Sequence, residues 1–351
     1  MIKITTPVTV VTGFLGAGKT TLINRILREV HGERLAVIEN EFGAVGVDAE
    51  FLVTGNDETV IQLANGCLCC TVRGDLARAL HDLAQQADSG RFAFDRVLIE
   101  TTGIADPGPI IQTFLAETAI LTRFHLDGVV TLVDAVHGLA QVDGVENRAQ
   151  IAYADRILLT KCDIATPAQQ DALSERLSAL NSRAQLFPLD LHGSGLGKVL
   201  PLLFDARAYS FDYVAPEELE RVSRRRIDLL GVASSERLFP IDAGRHTDDV
   251  VSCVFESAEA IDLDRLNVFL DVAMQRFGTR LWRCKGIVHA TRQRQRLVVQ
   301  GVQTLLQING GSVWRAHEAR RTVLIFIGQG LDRRWIVDAL RMCEASYVPR
   351  T

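Results

Sequence analysis

Short apolar runs alternate with helical patterns through the first two hundred residues. Val8–Thr12, Leu35–Glu39, Thr59–Leu63, Arg96–Glu100, Val129–Val133, Arg156–Thr160 and Gln185–Leu189 read as strands. Several are continuously apolar and rich in Val, Ile and Leu, the pattern of strands covered on both faces. Between them, Thr20–Glu29, Gly74–Gln86 and Ala168–Leu180 repeat apolar residues at helical spacing. This alternation predicts an α/β domain over residues 1–205, a mostly parallel sheet with helices on both faces. Residues 206–245 break the rhythm. They are charged, contain Pro216 and Pro240, and offer one modest helical stretch near Glu217–Arg226, so they read as a connector. A second pattern fills residues 246–345: a strand at Val250–Phe255, a helix capped by Asp262 and running through Phe277, strands near Leu281–His289, Arg296–Val302 and Thr322–Ile327, and a last helix opened by Asp332 that runs to about Met342. It predicts a smaller C-terminal α+β domain.

Composition narrows the partners. The 351 residues are 47% hydrophobic and 23% charged, ordinary for a globular protein that buries its core without disulfides. A net charge of -5 exerts no general pull on nucleic acid. The run Arg224-Arg225-Arg226 is short and follows Glu217, Glu218 and Glu220, which suits a solvated helix face. The strand pattern starts at Val8 with no signal-peptide order before it, and no apolar run approaches the ~20 residues of a membrane span. The expectation is a cytoplasmic protein without nucleic-acid or membrane partners.

The sharpest motif is Gly13-Phe14-Leu15-Gly16-Ala17-Gly18-Lys19-Thr20. It fits G-x-x-x-x-G-K-[ST], after an apolar strand and at the start of a helix, as a P-loop requires. Its glycines let the backbone wrap a phosphate chain, with N–H groups and the helix N-terminus as donors. Gly13, Gly16, Ala17, Gly18 and Thr21 are candidate nucleotide contacts; Lys19 is a candidate for the β- and γ-phosphates and the Thr20 hydroxyl for Mg²⁺. The run Arg96–Glu100 supplies the second strand, ending in a carboxylate before Thr101-Thr102-Gly103. The usual carboxylate there is Asp. Glu100 is one methylene longer and would act through water or orient the nucleophile. The Gly103 N–H is then placed to sense the γ-phosphate. Lys19, Thr20 and Glu100 are the candidate catalytic residues.

Thr160-Lys161-Cys162-Asp163 follows another apolar strand and matches the [Asn/Thr]-Lys-x-Asp signature of guanine recognition. The Asp accepts from the ring N–H and the exocyclic amine, and the Lys stem lies along the ring. Adenine lacks that donor pair. Charge-assisted hydrogen bonds of about 1.5–3 kcal/mol each select GTP over ATP at least about tenfold.

The seven cysteines include a cluster at Cys67, Cys69 and Cys70 in Gly66-Cys67-Leu68-Cys69-Cys70; Cys162, Cys253, Cys284 and Cys343 are scattered. An odd count with one tight cluster points to a metal or redox site, not a disulfide framework. Three thiols in four residues form a soft donor set for Zn²⁺, Cu⁺ or a related ion. Glu39 and Glu41, in Ile38-Glu39-Asn40-Glu41-Phe42-Gly43, are candidates for a fourth ligand. That segment follows the first helix after the P-loop, where nucleotide-sensing switches lie. A structural metal staple and a redox pair are the competing readings of the cysteines; a P-loop kinase or ATPase competes with the GTPase reading.

Together these segments resemble the CobW family of metallochaperone GTPases, a family of P-loop proteins, and most of all its bacterial YjiA-type members. The resemblance rests on GFLGAGKTT, IENEFG, GCLCC, IETTGIADPGPI, TKCD and Arg283-Cys284-Lys285-Gly286, a form of Arg-x-Lys-Gly. It implies a two-domain protein that hydrolyses GTP slowly, binds zinc or cobalt at Cys67, Cys69 and Cys70 with Glu39 as a further ligand, and delivers the metal to a client metalloprotein. It also implies switch positions at Asp48 and Asp106. Many relatives carry a His-rich tract. Here the eight histidines are dispersed, and His246, His289 and His317 read as surface or hydrogen-bonded residues, which argues against storage of several ions.

Overall fold

Eight strands form the first sheet: β1 (Thr6–Gly13), β2 (Leu35–Asn40), β3 (Phe51–Thr54), β4 (Glu58–Leu63), β5 (Arg96–Glu100), β6 (Phe124–Asp134), β7 (Arg156–Thr160) and β8 (Gln185–Leu189). This computed structural model describes residues 5–28, 32–40, 51–54, 58–63, 72–191, 193, 200, 201, 203, 204, 206, 208, 209 and 250–348. Contacts divide the chain into two units, Met1–Ser210 and Phe211–Thr351. The expected connector, 206–245, falls almost wholly outside the described residues.

The sheet order is β3-β4-β2-β5-β1-β6-β7-β8. Every pairing is parallel except β3 with β4. Strand β3, a short antiparallel edge, is an addition to the expected set. The connecting helices are α1 (Lys19–Ile26), α2 (Val72–Asp88), α3 (Gly108–Ala116), α4 (Thr118–Leu121), α5 (Gly138–Gln141), α6 (Val145–Tyr153) and α7 (Pro167–Leu180). The crossover through α1 runs one way along the sheet and those through α2, α3, α6 and α7 run the other. Right-handed crossovers therefore put helices on both faces. All five residues of β5 are buried, as are Val129–Asp134 of β6, which explains the predominance of Val, Leu and Ile along them. Helix α7 starts where its sequence says: Thr166 and Gln169 form a reciprocal capping box and Pro167 occupies the first turn.

The bottom of this sheet holds a buried ion pair. Residue Asp127 is the extra residue of a bulge in β6, where the register against β1 shifts between Val8 and Thr9. Its carboxylate lies 3.1 Å from Arg96 Nη1, and both side chains are 2% exposed. The guanidinium also donates to Glu33 at 2.9 Å and stacks over Phe204 at 4.4 Å.

In the second unit, β9 (Val250–Ser257), β10 (Leu281–Val288), β11 (Gln295–Val302), β12 (Leu305–Val313) and β13 (Thr322–Gln329) form an antiparallel sheet in the order β12-β11-β10-β13-β9. Helices α8 (Leu263–Phe277) and α9 (Arg333–Met342) are capped by Asp262 and Asp332, each accepting from the backbone N–H three residues on. Their apolar faces meet the sheet around Phe269, which stacks on Trp335 at 5.6 Å and meets Phe326 edge-on at 5.9 Å. The Arg-x-Lys-Gly segment lies in β10, between β11 and β13. Among the described residues, no helix is long and apolar enough to cross a membrane.

Candidate functional site

The carboxyl-terminal ends of the parallel strands collect the chemistry, as in other open α/β sheets. The P-loop leaves β1 at Gly13, whose φ of 142° and position against β6 exclude any side chain: a Cβ there would lie 2.2 Å from Leu132 O. Gly18 then caps α1 in the left-handed region and Lys19 opens the helix. The ammonium of Lys19 donates to Gly13 O at 2.9 Å and Phe14 O at 3.1 Å. Burial lowers its pKa from the ordinary lysine value, and the nearby charge of Glu100 raises it. Ala17 is buried; Gly16, Thr20 and Thr21 face outward.

At the end of β5, Glu100 accepts a 2.7 Å hydrogen bond from the Thr20 hydroxyl. The next residue is pinned to β1: Thr101 N donates to Val11 O at 3.0 Å and Thr101 Oγ1 to Thr12 Oγ1 at 2.7 Å. Thr102 Oγ1 is buried without a hydrogen-bond partner. Gly103 then meets the P-loop so closely that a Cβ would lie 2.7 Å from Leu15 Cα. Asp106, two residues before α3, accepts from Gly108 N at 2.8 Å, and burial raises its pKa.

On the other side of β1, Thr160 at the end of β7 is fully buried and donates to Ala17 O at 2.9 Å. It therefore braces the P-loop from below. Lys161 has φ 58°, and its ammonium lies 2.6 Å from Asp134 Oδ2 at the end of β6. Burial pushes the Asp134 carboxyl up. Hydrogen bonds from Lys161, His137 and the N–H groups of Val136 and His137 outweigh that and hold it at about 2. Asp163 is exposed on the turn closed by Ile164 N and Ala165 N onto Lys161 O. Gln170 of α7 fixes that turn through Cys162 O and Ala165 O.

A model of the CobW/HypB/UreG nucleotide-binding domain matches residues 7–188, more than half of the chain. The chain belongs to the CobW/HypB/UreG family. A model of the cobalamin synthesis protein CobW C-terminal domain matches residues 250–344. The chain is 38% identical over 323 residues to the zinc chaperone YjiA of Escherichia coli, covering 92% of this chain and 93% of that protein. It is 31% identical over 359 residues to the zinc chaperone CobW of Pseudomonas aeruginosa, covering 97% and 92%. The crystal structure of Zn(II)-bound YjiA GTPase from E. coli matches with a TM-score of 0.73 at 35% identity, covering 97% of this chain and 99% of that one.

Within this family member, the P-loop residues, Glu100, Gly103 and the Thr160–Asp163 turn lie along neighbouring strand ends. Cys67, Cys69, Cys70, Glu41, Asp48 and His246 lie outside the described residues, and of Glu39 only the backbone is described. Among the described residues no group of three or more His, Cys, Asp or Glu could hold a metal ion. Free Cys253, Cys284 and Cys343 are buried, and Cys162 is half-buried. The His289 pKa is lowered, by burial first and then by Arg320, and His317 is exposed.

Two residues of the site escaped the sequence reading. Asp134 carried a findable signal: like Glu100, it is a carboxylate closing an apolar strand. Gln150 carried none. It is a neutral amide inside α6, fully buried, and its Nε2 donates to Gly103 O at 3.2 Å and Ala105 O at 3.0 Å.

Proposed function

We propose that this CobW-family GTPase binds GTP with Mg²⁺, takes up a transition-metal ion, zinc before cobalt, at Cys67, Cys69 and Cys70, and passes it to a client metalloprotein. The nucleotide contacts in this reading are Gly13, Gly16, Ala17, Gly18, Lys19, Thr20, Thr21, Gly103, Thr160, Lys161 and Asp163. Zinc enters through relatives that are named zinc chaperones. The division into 1–205, 206–245 and 246–345 belongs to the same proposal and is supported by the family matches over 7–188 and 250–344.

The donor set suits the cofactor. Thr20 Oγ1 and Glu100 present hard oxygens to each other at 2.7 Å, and Mg²⁺ prefers oxygen ligands. Thr20 would hold the ion, with Glu100 beside it, and when bound the ion neutralises charge on the phosphate oxygens. The chain's own groups do the rest. Lys19 turns from the Gly13 and Phe14 carbonyls to the phosphates. The Gly103 N–H, at the contact with Leu15, reads the terminal phosphate. Asp163 accepts from guanine while Asp134 steadies Lys161. Hydrolysis is then a matter of positioning and electrostatics.

The single observation that supports coupling is the strand order. Strand β4 ends at Leu63, four residues before Cys67; β2, ending at Glu39 and Asn40, lies between β4 and β5; and Glu39 is the register partner of Glu100. With ~4.8 Å between strands, the end of β4 stands about 10 Å from the end of β5. A shift at Glu100 and Gly103 is therefore separated by one strand, β2, from β4, which precedes the cysteines in sequence. The thiols must be deprotonated to bind, so metal affinity drops as the pH is lowered.

The deciding experiment is a metal titration of the purified protein with GTP·Mg²⁺, GDP·Mg²⁺ and no nucleotide, repeated after Cys67, Cys69 and Cys70 are replaced by Ser. Nucleotide-dependent zinc affinity that disappears in the triple variant supports the proposal. Zinc affinity indifferent to both nucleotide and cysteines overturns it and leaves a regulatory GTP switch with structural or redox cysteines.

A further inference from the structure

We propose that Gln150 is a positioning residue for hydrolysis: its side-chain amide latches the Thr101–Ala105 segment, so that the Gly103 N–H is held at the height of the terminal phosphate. This rests on the reading of Gly103 given above.

The segment is anchored at its start and latched at its end. At the start, Thr101 is tied to β1 through Val11 O and Thr12 Oγ1. At the end, Ala105 N closes a turn onto Thr102 O at 3.1 Å. The carbonyls on either side of Ile104 point into the protein, and Gln150 Nε2 bonds both, at 3.2 Å to Gly103 and 3.0 Å to Ala105. An amide NH₂ has two donors, and here both are used on one three-residue span. Gln150 is itself anchored. It is fully buried, and its own carbonyl accepts from the Thr131 hydroxyl of β6 at 2.9 Å. The latch therefore ties the segment to α6 and, through Thr131, to the sheet.

Two features mark the latch as more than a core hydrogen bond. Gly103 is in contact with the P-loop at Leu15, so its height above the loop follows the carbonyl that Gln150 holds. And Gln150 Oε1 and Thr102 Oγ1 are both buried without a hydrogen-bond partner. Buried polar atoms left unpaired are costly, and they stand beside the segment that would rearrange. Ile104, between the two latched carbonyls, is 58% exposed. Its side chain therefore contributes little to holding the turn, and the amide is what fixes it.

The test uses the full chain with Gln150→Met, which keeps length and removes both donors, and Gln150→Glu, which at neutral pH presents a carboxylate to two carbonyls. Folding is checked by circular dichroism and thermal unfolding. Affinities for GTP and GDP are measured separately, with single-turnover hydrolysis. The expected result for Gln150→Met is a fall of about tenfold in the preference for GTP over GDP and in the hydrolysis rate, with GDP affinity held within about twofold. For Gln150→Glu, the hydrolysis rate relative to wild type should recover as pH falls, because the protonated acid regains one donor. If the Met variant does not fold, this pH recovery decides alone. Parallel losses of GTP and GDP affinity would mean a merely structural amide and overturn the proposal, as would wild-type discrimination and rate in a folded variant. Gly103→Ala, which crowds Leu15, separates the two levels. If it alters GTP preference and Gln150→Met does not, only the latch is wrong. If it leaves GTP preference untouched, the reading of Gly103 is wrong, and the latch falls with it.

Discussion

The hydroxyl of Thr20, at the start of α1, donates to the carboxylate of Glu100 at the end of β5 across 2.7 Å. This bond joins the P-loop helix to the strand that leads into Gly103. Glu100→Gln keeps the side chain's size and removes its charge. Hydrolysis should fall by about tenfold or more, because electrostatic groups at such sites are worth that much in the transition state. Nucleotide affinity without Mg²⁺ should change little. Single-turnover rates across a Mg²⁺ titration check both halves of this expectation.

The Lys161–Asp134 pair predicts a selectivity defect and a pH signature. Asp134→Asn frees the Lys161 ammonium, so GDP affinity should weaken by about three- to tenfold, as competition against labelled GDP would show. Asp134 is held at about 2 in the folded protein, below the ordinary 3.8. A depressed acid stabilises the fold above its unfolded pKa and loses that contribution as pH falls through the folded value. The advantage of wild type over Asp134→Asn should therefore be greatest at pH 5 and above and shrink by about 1–2 kcal/mol between pH 4 and pH 2, solvent screening around the half-exposed Lys161 keeping it below the full linkage value. Urea unfolding at a series of pH values reads this directly.

At the opposite end of the same sheet, removing Asp127 from its pair with Arg96 leaves a buried guanidinium held by the half-exposed Glu33 in place of a buried carboxylate. Asp127→Asn should cost about 3–5 kcal/mol of stability while guanine nucleotide affinity per folded molecule stays near wild type. Removing both charges, with Arg96→Met and Asp127→Leu together, should recover much of the loss. A double-mutant cycle in denaturant measures it.

All three tryptophans, Trp282, Trp314 and Trp335, belong to the second unit. Intrinsic tryptophan fluorescence therefore reports on that unit. Phe269→Ala removes the ring that stacks on Trp335 and meets Phe326 and should lower the stability of this unit by about 3–5 kcal/mol. The fluorescence transition in guanidinium should shift to lower concentration.

Much of this architecture could be read from the chain because parallel strands buried on both faces spell themselves as unbroken apolar runs. Arg96–Glu100 and Arg156–Thr160 were legible to the residue for that reason. Strand β3 was not, since four residues at an antiparallel edge make too short a run. Strand β12 carries Gly310 and Gly311, which disguise it as a turn, and α3 opens on Pro107 and Pro109. Strand β6 begins earlier than expected, at Phe124, because the bulge at Asp127 puts a charge in the middle of the run. In the site, the glycine and lysine of the P-loop announce themselves by type. Gln150 does not, because what matters is the pair of carbonyls its amide meets, and no residue pattern encodes that meeting.

Thr160 gives its hydroxyl to Ala17, so the turn that follows β7 and the loop that follows β1 are tied together by a buried hydrogen bond. In the proposed function a nucleotide held by both would meet a mould braced across its width. On that reading the loss of a phosphate would be sensed on the other flank, where Gly103 follows β5 and the strands β2 and β4 lie beyond it. The proposed base-reading turn and the proposed phosphate-sensing segment thus lie on opposite sides of the first strand.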